Sequence, residues 1–393
     1  MVEAAGQVTP QLGRTRVSMV GRLVGVQLTT AMIVLGIPPL GPALREEFGL
    51  SRGGTGLLVT AAFLGVVVAS WPAGRIVSLI GVRRSMIWAC AGLGASMAIT
   101  GLASTYALVL AGLFLTGIFY SPVTPATNAG VVAWAPTGFR TRAMAIKQMG
   151  VTAGAAVSAA LIPLLISRFG WRPAAAIVGA IVVLGGLSSA LGFQRPAESR
   201  TFGKAKALEN RAAVVALGIA TLLLLAVQHC VSTHYILALQ DDGVALVAAG
   251  AALSLLQVSA TGGRFGWAWI ADRLLAGNAA LGLLIACIFS AAVLAAMTVF
   301  DLAHSPVAGA VLLGATTQGG NALMQLVLAD AGGASPATST GLGMALGFTG
   351  TVIGPPAFGF VADGWGYRSS WILLSAFALA AGLTAWFVSR RRI

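Results

Sequence analysis

The residues of this chain that could do chemistry are a few polar side chains stranded in long apolar runs. In one such run Ser254, Gln257, Thr261, Arg264 and Asp272 follow one another at intervals of three, four, three and eight residues. On an α-helix these intervals return to one face, so they form a polar stripe carrying a guanidinium. That group is a planar fork of donors matching both oxygens of a carboxylate. At 1.5 Å per residue, Arg264 lies about 12 Å inside the end marked by Asp272. An ionisable group so deep in an apolar segment is costly and is a functional candidate by default. The competing reading is that Arg264 snorkels outward or pairs with Asp272 as a latch.

A second stripe follows Gly314 as Gln318, Asn321 and Gln325. Gly117, Ser121, Thr124 and Asn128 match the spacing of that glycine and its stripe, with an offset of 197 residues. Both stripes could line a cavity, or their amides could join helices to one another. Tyr120 and Gln27 are weaker candidates of the same kind. Lys147 and Gln148 enter a run one to two turns deep, where a lysine either binds an anion or snorkels. His229 and His234 could carry a coupling proton near neutral pH or hydrogen-bond a helix kink.

What is missing also bears on the chemistry. Asp272, Asp301, Asp330 and Asp363 stand at the ends of runs, and none carries an acid in its middle. A carboxylate proton relay therefore has no residues to run on. Nor does the sequence hold a phosphate-binding Gly-Lys-Ser/Thr loop, a catalytic triad pattern or a metal-ligand cluster, so neither a cofactor nor an enzyme is expected. Cys90, Cys230 and Cys287 fall in apolar runs and read as small buried hydrophobes.

The elements that must position these groups are membrane helices. Hydrophobic residues make up 57% of the 393, charged residues only 9%, and mean hydropathy is +0.89. That leaves too little charge to cover a water-facing surface. The runs are continuous and about twice the length of a barrel strand, long enough to cross a bilayer core of about 30 Å as helices. The spans read as Val17–Leu40, Gly54–Val77, Met86–Ala103, Ala107–Trp134, Ala143–Ser167, Pro173–Phe193, Ala212–Leu239, Val244–Ala271, Ala279–Phe300, Pro306–Leu328, Leu342–Ala362 and Trp371–Val388. With both termini in the cytoplasm, 19 of the 24 Lys and Arg residues collect on that side, as the positive-inside rule requires. The net charge of +13 is thereby explained without nucleic acid.

The longest internal polar stretch, Arg195 to Arg211, separates six spans from six, which suggests duplication. Phe169 to Ala175 reads FGWRPAA and Trp365 to Trp371 reads WGYRSSW, with their Gly-aromatic-Arg cores 196 residues apart. The expected architecture is an all-α membrane protein of twelve transmembrane helices in two parallel six-helix repeats. Its units are a bundle over 1–194, a cytoplasmic linker over 195–211 and a second bundle over 212–393.

On these residues the chain resembles a major facilitator superfamily transporter over essentially its whole length. The stretch Gly74 to Arg84 is similar to that family's loop after the second span, keeping Gly74, Gly81, Arg83 and Arg84 but placing Ser78 and Leu79 where the family has Asp-Arg. The loop after the eighth span keeps that pair as Asp272-Arg273. The resemblance implies that Asp272, Arg273, Gly81 and Arg83 form a cytoplasmic latch. The stretch Arg140 to Gly150 resembles the fifth span of bacterial members that carry small anions. Gly263 to Arg273 is similar to the eighth span of monocarboxylate transporters and oxalate/formate antiporters, where an arginine placed like Arg264 binds the substrate carboxylate.

The function expected is secondary transport of a small, monocarboxylate-like organic anion by alternating access. A co-transported proton, a bacterial inner membrane location and a functional monomer complete that expectation. The substrate would be held by Arg264, Gln257, Thr261, Asn128, Tyr120, Lys147, Gln318, Asn321 and Gln325. One alternative, an efflux carrier for drug-like amphiphiles, predicts an acid in a large apolar cavity. A receptor or scaffold predicts a soluble domain or long loops. The spans and loops read above contain neither.

Overall fold

The computed structural model describes residues 10–135, 139–193, 210–299, 305–333 and 336–390. The Arg195–Arg211 linker, apart from its last two positions, and Asp301 lie outside them. Regular structure among the described residues is helical throughout. In the first half run α1 (Pro10–Val34), α2 (Ile37–Phe48), α3 (Arg52–Gly101), α4 (Tyr106–Tyr120), α5 (Val123–Trp134), α6 (Arg140–Phe169), α7 (Trp171–Ile181) and α8 (Leu187–Leu191). The second half holds α9 (Arg211–Asp241), α10 (Leu246–Leu274), α11 (Ala279–Ala296), α12 (Pro306–Leu313), α13 (Asn321–Ala331) and α14 (Pro336–Arg390).

Ten helical segments are long and apolar enough to cross a membrane among the described residues. The sequence reading drew twelve. The difference arises in the second half, where the stretch from α12 to α13 is broken by a π-helical turn over Gly314–Gln318 and where Thr338–Arg390 runs as one segment of 53 residues. The first span is also longer than expected. The expected span ends at Leu40, but Pro38 and Pro39 open α2, which continues to Phe48. A proline in the first turn of a helix lacks an N–H that would have had no intrahelical partner anyway, so it starts this helix instead of stopping it.

Two of the long helices contain a glycine turn. Gly81 interrupts α3 at φ 80° and Gly366 interrupts α14 at φ 79°. Gly277, at φ 79°, follows Gly81 by 196 residues, and Gly366 follows Gly170, at φ 81°, by the same interval. Only glycine enters this region without steric cost. The close packing repeats as well. A Cβ at Gly117 would lie 1.8 Å from the Ala62 carbonyl oxygen, and one at Gly314 would lie 2.2 Å from that of Leu256. With no hydrophobic drive between helices in lipid, such close approach is what holds them together.

Each half buries its own apolar clusters. Ile33, Leu58, Phe63, Leu93 and Trp171 centre one in the first half, and Tyr235, Leu256, Phe358 and Trp371 one in the second. The halves meet at the end of the bundle that carries the turns near 50, 104, 170, 243 and 366, here termed the tied end. Asp241 accepts from Arg45 at 2.7 Å and from Arg52 at 2.9 Å. Asp363 accepts from the backbone N–H groups of Arg52 and Gly53, each at 3.0 Å, and so caps α3 from the other half. Pro356 cannot donate to the Val352 carbonyl, and Thr60 of α3 supplies the missing donor at 2.5 Å. Further in, Phe63 packs edge-on against His229 at 4.7 Å, and Ser254 donates to the Ala156 carbonyl at 2.8 Å.

Candidate functional site

Beyond the tied end, polar groups sit on the helices that line the middle of the bundle. Lys147 on α6 is only 2% exposed. Its Nζ donates to Asn128 Oδ1 at 2.7 Å and to Thr127 Oγ1 at 3.3 Å, both on α5. Thr127 in turn donates to Gln27 Oε1 on α1 at 3.0 Å. Small residues permit this convergence, since Gly150 lies one turn beyond Lys147 against the backbone of Val24 on α1. Lys147 therefore does not snorkel. It is a buried cation held by neutral acceptors, with no carboxylate against it among the described residues.

Arg264, on α10, is only half-buried. Its Nε is buried without a hydrogen-bond partner, and no ion pair reaches it among the described residues. The pairing with Asp272 is not made in this conformation, and Asp272 and Arg273 are exposed. The latch expected from them with Gly81 and Arg83 is likewise open: Arg83 is exposed, and no ion pair engages it among the described residues. On the stripe of Arg264, Gln257 is 8% exposed, and Thr261 bonds back to the Gln257 carbonyl at 3.4 Å. Next to Arg264, Gly263 lies against the backbone of Ala315. Trp267 Nε1 donates to the Ala315 carbonyl at 3.0 Å, a group that lies within the π-helical turn. Such turns recur at functional sites.

The stripe after Gly314 divides. Gln318 donates to Ser232 on α9 at 3.1 Å, as a helix-joining amide does. Asn321 and Gln325 lean on each other at 3.4 Å, and Gln325 is exposed. Tyr120 packs against both apolar clusters of the first half. His234 is fully buried, stacks on Phe358 at 4.5 Å and donates from Nε2 to the Pro355 carbonyl at 2.8 Å. His229 faces Phe63 across the halves. Lys147, Thr127, Asn128 and Gln27 thus converge on one point, whereas Gln318 and the histidines serve contacts between helices.

The sequence reading missed the tied-end network of Arg45, Arg52, Asp241 and Asp363. It also missed the corner where Glu47 accepts from Trp171 Nε1 and pairs with Arg172, both at 2.6 Å. A signal existed, because acids are rare in this chain and these three stand at run ends beside otherwise isolated arginines.

Curated relatives match in part. A probable sulfoacetate transporter of Cupriavidus necator is 24% identical over 145 residues, covering 36% of this chain and 33% of the relative. A gallate transporter of Pseudomonas putida is 26% identical over 134 residues, covering 34% and 30%. An uncharacterized transporter of Bacillus subtilis is 30% identical over 153 residues, covering 36% and 38%. The chain thus spans about a third of the length of the curated relatives it matches. Solved structures match almost throughout. A bacterial homologue of the human lysosomal transporter Spinster, inward-facing and occupied, has a TM-score of 0.76 at 17% identity, covering 98% of both chains. The nucleoside transporter NupG, as a mutant, has 0.76 at 11% identity, covering 95% of this chain and 99% of that one. These identities speak for the fold alone. The family model of the Major Facilitator Superfamily matches residues 23–349, and on that match, with its many apolar helices and its fold, the chain belongs to the major facilitator superfamily of multi-pass membrane transporters.

Proposed function

We propose that the protein is a secondary transporter of a small organic anion, with Arg264 as the anchor for a carboxylate. The observation that carries this is a half-buried guanidinium on the polar stripe of α10, whose buried Nε has no partner and which makes no ion pair among the described residues. A charge drawn partly out of water without a partner is costly, and a bound anion offsets that cost. Two relatives are named for organic anions, sulfoacetate and gallate, which supports the same class.

The layout in this reading is two parallel bundles of six spans, 1–194 and 212–393, joined by a cytoplasmic linker. Thr338–Arg390 is 53 residues long, about 80 Å as one straight helix, far more than the roughly 30 Å of a bilayer core. The turn at Gly366 divides it into two crossings, and the segment from α12 to α13 supplies another, which makes twelve. The matched glycine turns and the matched close contacts at Gly117 and Gly314 support the repeat. The basic residues put both termini in the cytoplasm of a bacterial inner membrane. The tied end then faces outward, and the monomer rocks one bundle against the other around a midplane site. A proton would travel with the cargo's own acid group or through His229 or His234.

The test is anion affinity of purified Arg264→Lys and Arg264→Ala, using simple carboxylates such as propionate and benzoate as probes. A charge-assisted bond is worth about 1.5–3 kcal/mol net, roughly ten- to a hundredfold in affinity. Both variants should lose that much while eluting as monodisperse protein. Near-unchanged affinity in both would assign Arg264 to a latch instead.

A further inference from the structure

We infer that the cargo carries two anionic groups, the second of them received by Lys147. This rests on the anion reading of the site given above and sharpens it, since a monocarboxylate neutralises only one of the two cations. An ammonium has three N–H donors. Asn128 and Thr127 take two of the Lys147 donors, and the third has no partner among the described residues. Neither neighbour carries charge, so the positive charge of Lys147 is as uncompensated as that of Arg264.

The depths of the two cations agree. Ser254 meets Ala156, while Gly250, one turn earlier on α10, meets Ala159 and Pro163 further along α6. The helices therefore run antiparallel. From the Ser254–Ala156 contact, Lys147 lies nine residues back along α6, about 14 Å, and Arg264 ten residues forward along α10, about 15 Å. Both displacements lead away from the tied end. One cation belongs to each half, so a substrate with an anionic group at either side would engage both.

The experiment compares matched carboxylates on the purified full chain by calorimetry and thermal shift: propionate with malonate, butyrate with succinate, pentanoate with glutarate, and benzoate with phthalate. In at least one pair the dianion should bind tenfold or more tightly than its monoanion. Lys147→Gln should cut that advantage below threefold, and Arg264→Gln should weaken both members. Should Lys147→Gln fail to fold, Asn128→Asp, which sets a counter-ion beside Nζ with little change of size, should remove the advantage too. Monoanions that bind as well as dianions in every pair, still depending on Arg264, would overturn this inference and leave the anion reading standing. The inference also falls if the advantage survives in both Lys147→Gln and Asn128→Asp. Indifference of every probe to Arg264, or binding by none, would bring down both.

Discussion

Two corners of the tied end are built on one plan and used differently. At the first, Gly170 makes the turn, Trp171 donates to Glu47 at the end of α2, and Arg172 pairs with that same acid. At the second, Gly366 makes the turn and Tyr367 donates to Asp241 at the end of α9, at 3.1 Å. There the likeness ends. Glu47 is satisfied wholly within the first half. Asp241 takes its cations, Arg45 and Arg52, from the opposite half, and Arg52 also lies over the Tyr367 ring at 4.6 Å. One corner therefore fastens the first half of the chain to itself, and the other ties the first half to the second. The comparison separates two uses of charge in a chain that has little of it, bracing one half and tying the halves, from the cations Lys147 and Arg264, which make no ion pair among the described residues and which the proposed function assigns to cargo.

The sharpest way to break this comparison is Asp241→Asn. It removes the charge that two arginines share, and because the side chain is about a quarter exposed the expected loss is about 1–2 kcal/mol of the tied state. That is roughly a five- to thirtyfold shift in the tied-to-open ratio. Spin labels at Ser104→Cys and Ala245→Cys, at exposed turns of the two halves, would report it as a longer distance population, against native cysteines that are all buried. An unchanged distance distribution would mean that Asp241 does not hold the halves together.

Removing Asp363 tests the second tie. Its carboxylate caps α3 across the interface, and loss of a cap costs about 1 kcal/mol. Asp363→Ala should therefore move the same spin-label populations in the same direction by a smaller amount. If it only lowers thermal stability, the cap belongs to folding and not to the gate.

The smallest effect is expected for Glu47→Gln. Its pair with Arg172 is more exposed than those of Asp241, so the change should cost less than about 1 kcal/mol in stability and leave the distance between the halves untouched. A shift as large as that of Asp241→Asn would erase the distinction between the two corners.

Much of this molecule was legible in its residues. Apolar runs of the right length announced the membrane, since a chain with 9% charged residues cannot clothe itself for water. Two nearly equal offsets, 197 and 196 residues, pointed to a repeat, and the glycine turns pair at 196. Arg264 stood out because an ionisable group in an apolar run carries a cost that must be met somewhere. The first span runs past the expected Leu40 to Phe48 because proline, which breaks a helix interior, suits the first turn of α2, and a run of residues does not state which of the two it will occupy.

The sequence by itself therefore determined the medium, the helices and the set of cations, all properties of local composition and spacing. Which cations found a carboxylate was decided by the tertiary structure alone. Arg52 and Asp241 are 189 residues apart, and no periodicity along either helix specifies that they will meet, whereas Lys147 and Arg264, inside their runs, meet no acid among the described residues. Charges act over ångströms of space and not over residues of chain, so only the packing of one half on the other decides which cations find an acid.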